Sequence, residues 1–556
     1  MTALTDVVID DVAAQTLLRT FVREVAAPDH QVDLTSEHLL VCLPRTGQRL
    51  RVRLARRSHT DNHRFIGPVE RVDARRWSAV DAAGLGELVA AELTVVTGVR
   101  NSEFAEQLRE SVLGSTRAHR AVIDRVRRPA VTVRQAYLAS EQALWAGHRW
   151  HPTPKSRDED EESWARFAPE AAPRIGLRWL AIPAEAAIGA DARGGAQVSR
   201  SALAGGPDPG HGRVAHPVHP WQWQRIRHSP HVRDLLRSRA IRDLGQGPAD
   251  HDPTSSVRTL LGPQHFVKFS LGVRITNCVR RHAPYELTGA MHLDELIGDT
   301  LADLGPSGVH FLRETGWRSA QFDDDPGVIA DLGLIVREGL DDVLEPGVTP
   351  LVAATLAAEH TGPAGQLAAV TDAQRGHEWW ERYLRLLVPY VIEAYTAHGI
   401  VTEPHLQNVV VGVAADGMPV QVFLRDLEGV KLLPRWRDRL QSVDPVTASR
   451  LVYDDRAGWQ RVAYCLMVNN LSEFVGALAD LGCDEGALWA QVREELGRCA
   501  SGSGSHEIRA LLDGASVPAK SNLLVRWRRR ADRAADYVPV VMPLAAHHAS
   551  RAMVSA

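Results

Sequence analysis

The chain has 556 residues, 44% hydrophobic and 24% charged, with 64 basic residues against 68 acidic ones and a formal net charge of −4. That length exceeds one ordinary core and suggests roughly three domains or two large ones, while the near balance of charge gives no sign of a nucleic-acid or anionic-membrane partner. The acidic start "MTALTDVVIDD" lacks the basic head and apolar run of a secretory signal, and no stretch approaches the roughly eighteen apolar residues of a membrane span, so a cytoplasmic enzyme or binding protein is favoured.

From Val12 to about Trp150 apolar residues recur at three- and four-residue steps, as in "LGELVAAELTVVTGV" and "VTVRQAYLASEQALW", and predict a largely helical region. "RTGQRLRVRLARR" interrupts it with the alternation of a strand pair whose arginines face water. The charge run "KSRDEDEES" (155–163) has turn character. Residues 188–213 are so rich in Gly, Ala, Ser and Pro that they predict a mobile loop, either a lid beside the histidine motif that follows or a surface insertion. "SSVRTLL" and "HFVKFSLGVRIT" predict strands turned at Gly262–Pro263. Helical periodicity returns from Leu351 to Tyr395, then "NVVVGVAADGMPVQVFLRD" predicts a hairpin about "ADG", and the remainder is mostly helix, interrupted at "SGSGS" (501–505). Cys42, Cys278, Cys465, Cys483 and Cys499 show no paired spacing, so reduced, mostly buried thiols are expected, and "LGC" and "GRC" do not supply the cysteine cluster of an iron–sulfur domain.

Alternation assigns the faces of the hairpin 256–276. Val267, Phe269, Leu271, Val273 and Ile275 point one way, and Lys268, Ser270, Arg274 and Thr276 the other. Pairing would add Ser256 and Arg258 to the polar face, with Arg280 just beyond in "ITNCVRR". Such a face is either an anion site, in which Arg offers a planar fork and Lys a point charge, or a solvated outer surface. Two loops, "GHRWHPTPKSR" (His148, His151, Lys155) and "HPVHPWQWQ" (His216, His219, Gln222), hold imidazoles beside prolines that favour extended backbone. They read as polyanion-binding loops or as surface polar groups, and the spacing matches no strong zinc signature.

"EPHLQN" (403–408) precedes the strand "VVVGV", which sets Glu403, His405 and Asn408 at a strand mouth, while Asp426 and Glu428 leave the end of the paired strand. Carboxylates so placed suit Mg²⁺, which combines a few of them with water and phosphate oxygens; a buried polar network closing the hairpin is the alternative. A kinase-like loop fits poorly. Gln407 stands where the general-base Asp is expected, Asn408 follows His405 too soon, and no Gly-rich phosphate loop appears.

Taken in order, "GHRWHPTPKSR", "HPVHPWQWQ", "TSSVRTLL", "KFSLGVRITNCVRR", "EPHLQNVVV", "LRDLEG" and "AKSNLLVRW" resemble the NRPS-independent siderophore (NIS) synthetases, the aerobactin-synthetase-like superfamily, over roughly residues 140–540. The terminal "YVPVVMPL" has Met542 where that family commonly has Asn-Pro. The resemblance implies an α+β fold with a cupped thumb, fingers and palm, mainly antiparallel sheets in fingers and palm and many helices. It divides the chain into a mostly helical thumb (1–145), fingers carrying the anion-binding hairpin (146–350) and a palm with the nucleotide and metal side (351–556), usually as a homodimer. The implied activity is ATP-dependent adenylation of citrate or a related acid, followed by transfer of the acyl group to an amine, hydroxylamine or alcohol. Ser256, Arg258, Thr259, Lys268 and Arg280 would meet the ATP phosphates and the acid. His148 or His151, with Lys155, Thr276 and His405, would lie near the reacting carboxylate, and Glu403, Gln407, Asn408 and Asp426 would hold nucleotide and Mg²⁺, with Glu403 and Asp426 on the metal. The rival readings are a kinase-like phosphotransferase and a non-catalytic binder of citrate or ferric siderophore.

Overall fold

The computed structural model describes residues 2–73, 76–126, 130–157, 160–275, 278–322, 325–360, 367, 369–503, 506–530 and 535–545. The long helix Thr2–Phe21 runs into a π-helical turn, Val22–Ala26, all five residues of which are buried. The basic alternating stretch is the middle of a five-stranded antiparallel meander, Val32–Leu34 to Arg76–Val80, so helices share the N-terminal region with a full sheet. Leu39, Val41, Leu50 and Val52 fill the inner face under Leu17, Leu18 and Phe21, while Arg49 and Arg51 stay out, as the period of two requires. Leu523 and Trp527, from the helix Asn522–Trp527, complete this core from the far end of the chain.

An eight-stranded sheet follows, in the order Ala187–Asp191, Glu314–Ala320, Leu334–Arg337, Phe266–Phe269, Thr259–Leu261, Arg242–Pro253, Ile175–Pro183 and Arg213–Val218. The loop expected over 188–213 is corrected here. Its first part is the edge strand Ala187–Asp191 and its middle the helix Ala196–Ala202. Small residues serve close approach at this edge: a Cβ on Gly189 would lie 2.4 Å from the Trp317 carbonyl oxygen, and one on Gly195 2.2 Å from that of Thr315.

A four-stranded sheet, Val309–Phe311, Pro419–Leu424, Val409–Val413 and Thr349–Val352, contains the expected second hairpin, turned through Asp416 and Gly417. The boundary drawn at 350/351 falls inside its strand Thr349–Val352. Against it packs the largest core, built around the helix Ala373–Thr396, whose Trp379, Trp380, Tyr383 and Tyr390 are all buried. The run Asp455–Asp480 is long and apolar enough to cross a bilayer, yet 89% of its apolar window is buried inside the protein, which makes it a core helix. None of the five cysteines forms a disulfide; Cys465 and Cys483 are buried, Cys278 and Cys499 partly so, and Cys42 is exposed, which corrects the expectation of mostly buried thiols.

Candidate active site

The two large sheets meet at a charged junction. Lys268 leaves the strand Phe266–Phe269 of one sheet, and Asp426 and Glu428 follow the strand Pro419–Leu424 of the other. The Lys268 ammonium pairs with Asp426, lies 2.6 Å from Glu428 Oε2 and 3.7 Å from Glu314 Oε1, and is buried. Arg337 joins them at 2.9 Å from Glu314 and 3.6 Å from Asp426. Burial alone would lower the Lys268 pKa, but Asp426, Glu428 and Glu314 outweigh it and hold the ammonium above its usual range. Burial likewise opposes ionisation of Asp426 and Glu428; Lys268, with Arg258 for Glu428, overcomes it and keeps both carboxyls below the usual range.

The expected hairpin register is partly realised. Thr259 pairs with Lys268 and Leu261 with Phe266, but Ser256 and Arg258 lie in the preceding turn rather than on a strand. The strand also ends at Phe269: Ser270 NH donates to the Gly333 carbonyl, and Leu271–Ile275 pairs separately with Cys278–Arg280. Arg258, Lys268 and Ser270 are buried, so this part of the face is not solvated, whereas Arg274, further along, is exposed. Arg258 donates to the Arg280 carbonyl and to His282 Nδ1, each at 3.3 Å, and sits 3.3 Å from Glu428. His282 Nε2 faces the Lys268 carbonyl at 3.2 Å; burial lowers its pKa, which fits a neutral ring donating from Nε2 and accepting at Nδ1. Val257 (φ 68°) and Asp426 (φ 84°) both adopt left-handed backbone, uncommon for residues with a Cβ, on the two segments that converge here.

A buried network joins these segments. The helix Val133–Glu141, begun by a capping box of Thr132 and Gln135, presents Tyr137 and Glu141. Glu141 accepts from Ser255 NH at 3.0 Å and from the Arg425 guanidinium and Tyr137 hydroxyl, while Arg425 Nη2 donates to the Gln407 carbonyl at 2.7 Å. The turn 403–408 is held from its other side by the π-helical stretch Tyr464–Leu471. Leu406 NH donates to the Asn469 carbonyl at 3.1 Å, and Asn470 Nδ2 to that of Pro404 at 2.8 Å. Widened helical turns recur at functional sites because they re-aim backbone groups in this way.

Of the expected residues, Ser256, Arg258, Thr259, Lys268, Gln407, Asn408 and Asp426 come together around this junction. Ser256 Oγ accepts from Thr259 NH at 3.2 Å, Gln407 Nε2 reaches Ser255 Oγ at 3.4 Å, and Asn408 Nδ2 donates to the Glu403 carbonyl at 3.3 Å. Burial lowers the His405 pKa against the opposing pull of Glu403 and Asp426. His148 is exposed and faces the charges of Glu473, His405, Lys520 and Arg23. Arg280, on Cys278–Arg280, adjoins Arg258 through its carbonyl. Thr276 lies outside the described residues. Lys155 is tied to the buried Glu170, and His151 Nδ1 accepts from Thr153 NH within its own turn. His216 and His219 correct the surface and polyanion readings: both are buried, His216 Nε2 bonded to the Leu332 carbonyl and His219 packed between Phe167 and Phe269.

The metal expectation changes in detail. Glu403 pairs with Arg461 at 3.3 Å, and the carboxylate sharing Lys268 with Asp426 is Glu428. His282, Glu286 and Glu428 bring one donor atom each within 4.8 Å of one another. Sequence reading passed over Tyr137, Glu141, His282, Glu286, Glu314, Arg337 and Arg425; "RDLEG" and "RRH" carried two of them in plain view, the others none.

The IucA/IucC family model matches residues 136–358, which contain the Lys268 hairpin, and a model described as a ferric iron reductase FhuF-like transporter matches 377–535. The rhizobactin siderophore biosynthesis protein RhbC of Rhizobium meliloti is 30% identical over 577 residues, covering 93% of this chain and 94% of that protein. The chain belongs to the IucA/IucC family of NIS siderophore synthetases. Its sequence is also 28% identical over 523 residues to the N(2)-citryl-N(6)-acetyl-N(6)-hydroxylysine synthase of Escherichia coli, covering 87% of this chain and 88% of that one. Its α+β fold matches the structure of ATP-bound aerobactin synthetase IucA from a hypervirulent Klebsiella pneumoniae with a TM-score of 0.84 and 26% identity, over 96% of this chain and all of that one.

Proposed function

We propose that this family member is an ATP-dependent, AMP-forming synthetase that activates a carboxylate of citrate or a citrate-like acid and condenses it with an amine, hydroxylamine or alcohol in siderophore biosynthesis. The observation that carries the reading is the buried junction of Lys268, Arg258, Arg337, Asp426 and Glu428, where cations and carboxylates from two sheets converge. In the first step an oxygen of the acid attacks the α-phosphorus of ATP, the bond to the β-phosphate bridge breaks, and pyrophosphate leaves. Two anions must meet for this, and Lys268, Arg258 and Arg280 reduce their repulsion and steady the charge that develops. In the second step the nucleophile attacks the acyl carbon, the bond to AMP breaks, and the proton lost by the nucleophile passes to a base; His405, kept neutral by burial, suits that role.

Mg²⁺ fits the donor chemistry, since Asp426 and Glu428 are ionised carboxylates with Glu286 beside them. They would hold it, and when bound it supplies charge to the phosphates. Ser256, Thr259, Gln407, Asn408 and Glu403 complete the nucleotide side, and His148 the acid side. The division at 145 and 350, a cytoplasmic setting and a homodimer belong to the same proposal. The test is a panel of citrate, a citrate monoamide, a succinyl hydroxamate and 2-oxoglutarate with ATP, Mg²⁺ and hydroxylamine, with nucleotides separated chromatographically. Hydroxamate with equal AMP and pyrophosphate is the expected result; acid-dependent ADP would overturn adenylation, and no turnover with any acid would favour a binder.

A further inference from the structure

One buried cation near the site, Arg23, lacks a hydrogen-bond or ion-pair partner among the described residues, although the charges of Glu473, Asp61 and Glu24 act on it. Arg23 lies in the π-helical turn Val22–Ala26, is 5% exposed, and makes no hydrogen bond or ion pair with a described residue; its Nε is buried without an acceptor. Its guanidinium lies over the Trp150 ring. A buried arginine ordinarily finds a carboxylate or carbonyl, because leaving its donors unmet is costly. Arg19 and Arg149, close by, do so with Glu359.

The surroundings of Arg23 lead toward the candidate site. Its charge reaches His148, which also faces Lys520 and His405. Trp150, beneath it, donates from Nε1 to Glu473 at 2.6 Å and accepts from Asn522 Nδ2 at 2.8 Å through its carbonyl. The next residue, Glu24, accepts from the backbone NH groups of Leu523 and Leu524, each at 2.9 Å, and so fixes the turn of Arg23 against the segment that carries Lys520 and Asn522. A guanidinium with no hydrogen bond or ion pair to a described residue, within electrostatic reach of His148 and with Glu473 and Asp61 as opposing charges, retains donors with which to receive a planar anion.

We propose that Arg23 binds a carboxylate of a substrate, through a paired hydrogen bond from its fork, and so brings the N-terminal unit into substrate recognition. The proposal rests on the synthetase reading above. The carboxylate belongs either to the acyl acceptor, as in an amino acid whose side-chain amine reacts, or to an arm of the donor acid that does not react.

Two acceptors differing only in the carboxylate, L-lysine and cadaverine, separate these sources when each is condensed with citrate, and hydroxylamine trapping of citrate gives the donor side alone. If the acceptor is the source, Arg23→Gln lowers the preference for L-lysine over cadaverine by about tenfold or more; if the donor is, the same change raises the citrate KM in the trapping assay by about tenfold or more. Arg23→Lys, which keeps the charge but not the fork, lies between. Shifts under about twofold in both arms, in proteins whose melting matches wild type, overturn the proposal and leave Arg23 a packing group on Trp150. Calorimetric titration of citrate and of L-lysine into wild type and Arg23→Gln reads the same site without turnover: about tenfold weaker binding of either ligand supports it and equal binding overturns it. A wild-type protein that forms no AMP with any acid of the panel above would sink the synthetase reading, while those titrations still judge Arg23.

Discussion

Lys268 Nζ stands 2.6 Å from Glu428 Oε2 while also pairing with Asp426, so one ammonium from the eight-stranded sheet bridges two carboxylates that follow a strand of the four-stranded one. The contact crosses 160 residues of chain and fastens the two sheets at the place where substrate phosphates are expected. A buried ion pair of this kind contributes little compared with an apolar filling, but removing one member leaves the other charge stranded.

Lys268→Met tests this. The change leaves Asp426, Glu428 and Glu314 facing one another and is expected to cost about 3–5 kcal/mol of stability. Because a divalent cation can replace the missing charge, millimolar Mg²⁺ should raise the variant's melting temperature more than that of wild type. Equal Mg²⁺ effects on the two proteins would show that the carboxylates do not form a metal site.

Asp426→Asn keeps the shape and loses the charge. Its expected signature is a higher Mg²⁺ concentration for half-maximal hydroxamate formation, together with a lower rate. An unchanged Mg²⁺ titration at normal activity would make Asp426 structural.

Glu141→Gln should weaken the clamp between the Ser255 turn and the Gln407 carbonyl, because Arg425 would face a neutral amide in a buried site. About 3 kcal/mol or more of stability is at stake, and the KM for ATP should rise further than that for the acid, since both clamped segments belong to the nucleotide side. Thermal melting and paired kinetics measure the two effects. A loss of stability with both KM values unchanged would confine Glu141 to folding.

Why the Lys268 hairpin was legible and the clamp was not follows from what carries each signal. Period-two alternation marks Val267 and Phe269 as inward, and the turn at Gly262–Pro263 sets the register of Thr259 against Lys268. Glu141 and Arg425 are 284 residues apart, and nothing local distinguishes that glutamate from one on a helix surface. The strand at Ala187–Asp191 was hidden for a different reason. Its glycines and alanines look like a linker, but they permit the close approach to Trp317 that a larger side chain would block. His216 and His219 show the converse, a polar pair in a proline-rich segment that lies buried, His216 on the Leu332 carbonyl and His219 against aromatic rings.

Those buried histidines lead to a pH prediction. Burial brings His63 and His216 down to about 4 and His219 to about 3. Between pH 4 and the unfolded value near 6.5 the unfolded chain therefore binds protons that the native state refuses, and stability falls as the solution is acidified. Two carboxyls act in the opposite sense: burial raises Glu24 to about 8 and Glu338 to about 7, so their contribution is complete below the unfolded carboxyl range and is lost as pH rises through those values. The buried His251 and His282 shift the same way as the other histidines, so on the acid side the unfolded chain takes up more protons than the native one, and each proton of excess adds about 1.4 kcal/mol per pH unit to the slope. Above pH 7 the sign reverses, because among these groups only Glu24 still titrates. The melting temperature should accordingly peak between about pH 6.5 and 7 and fall on both sides, more steeply toward acid. His219→Asn provides the control: His219 is the N-cap of the helix Pro220–Ile226, a position asparagine fills well, so the cap survives while one titrating ring is removed. The acid limb should become shallower in that variant, and an acid limb unchanged in slope would show that the buried histidines do not govern acid stability.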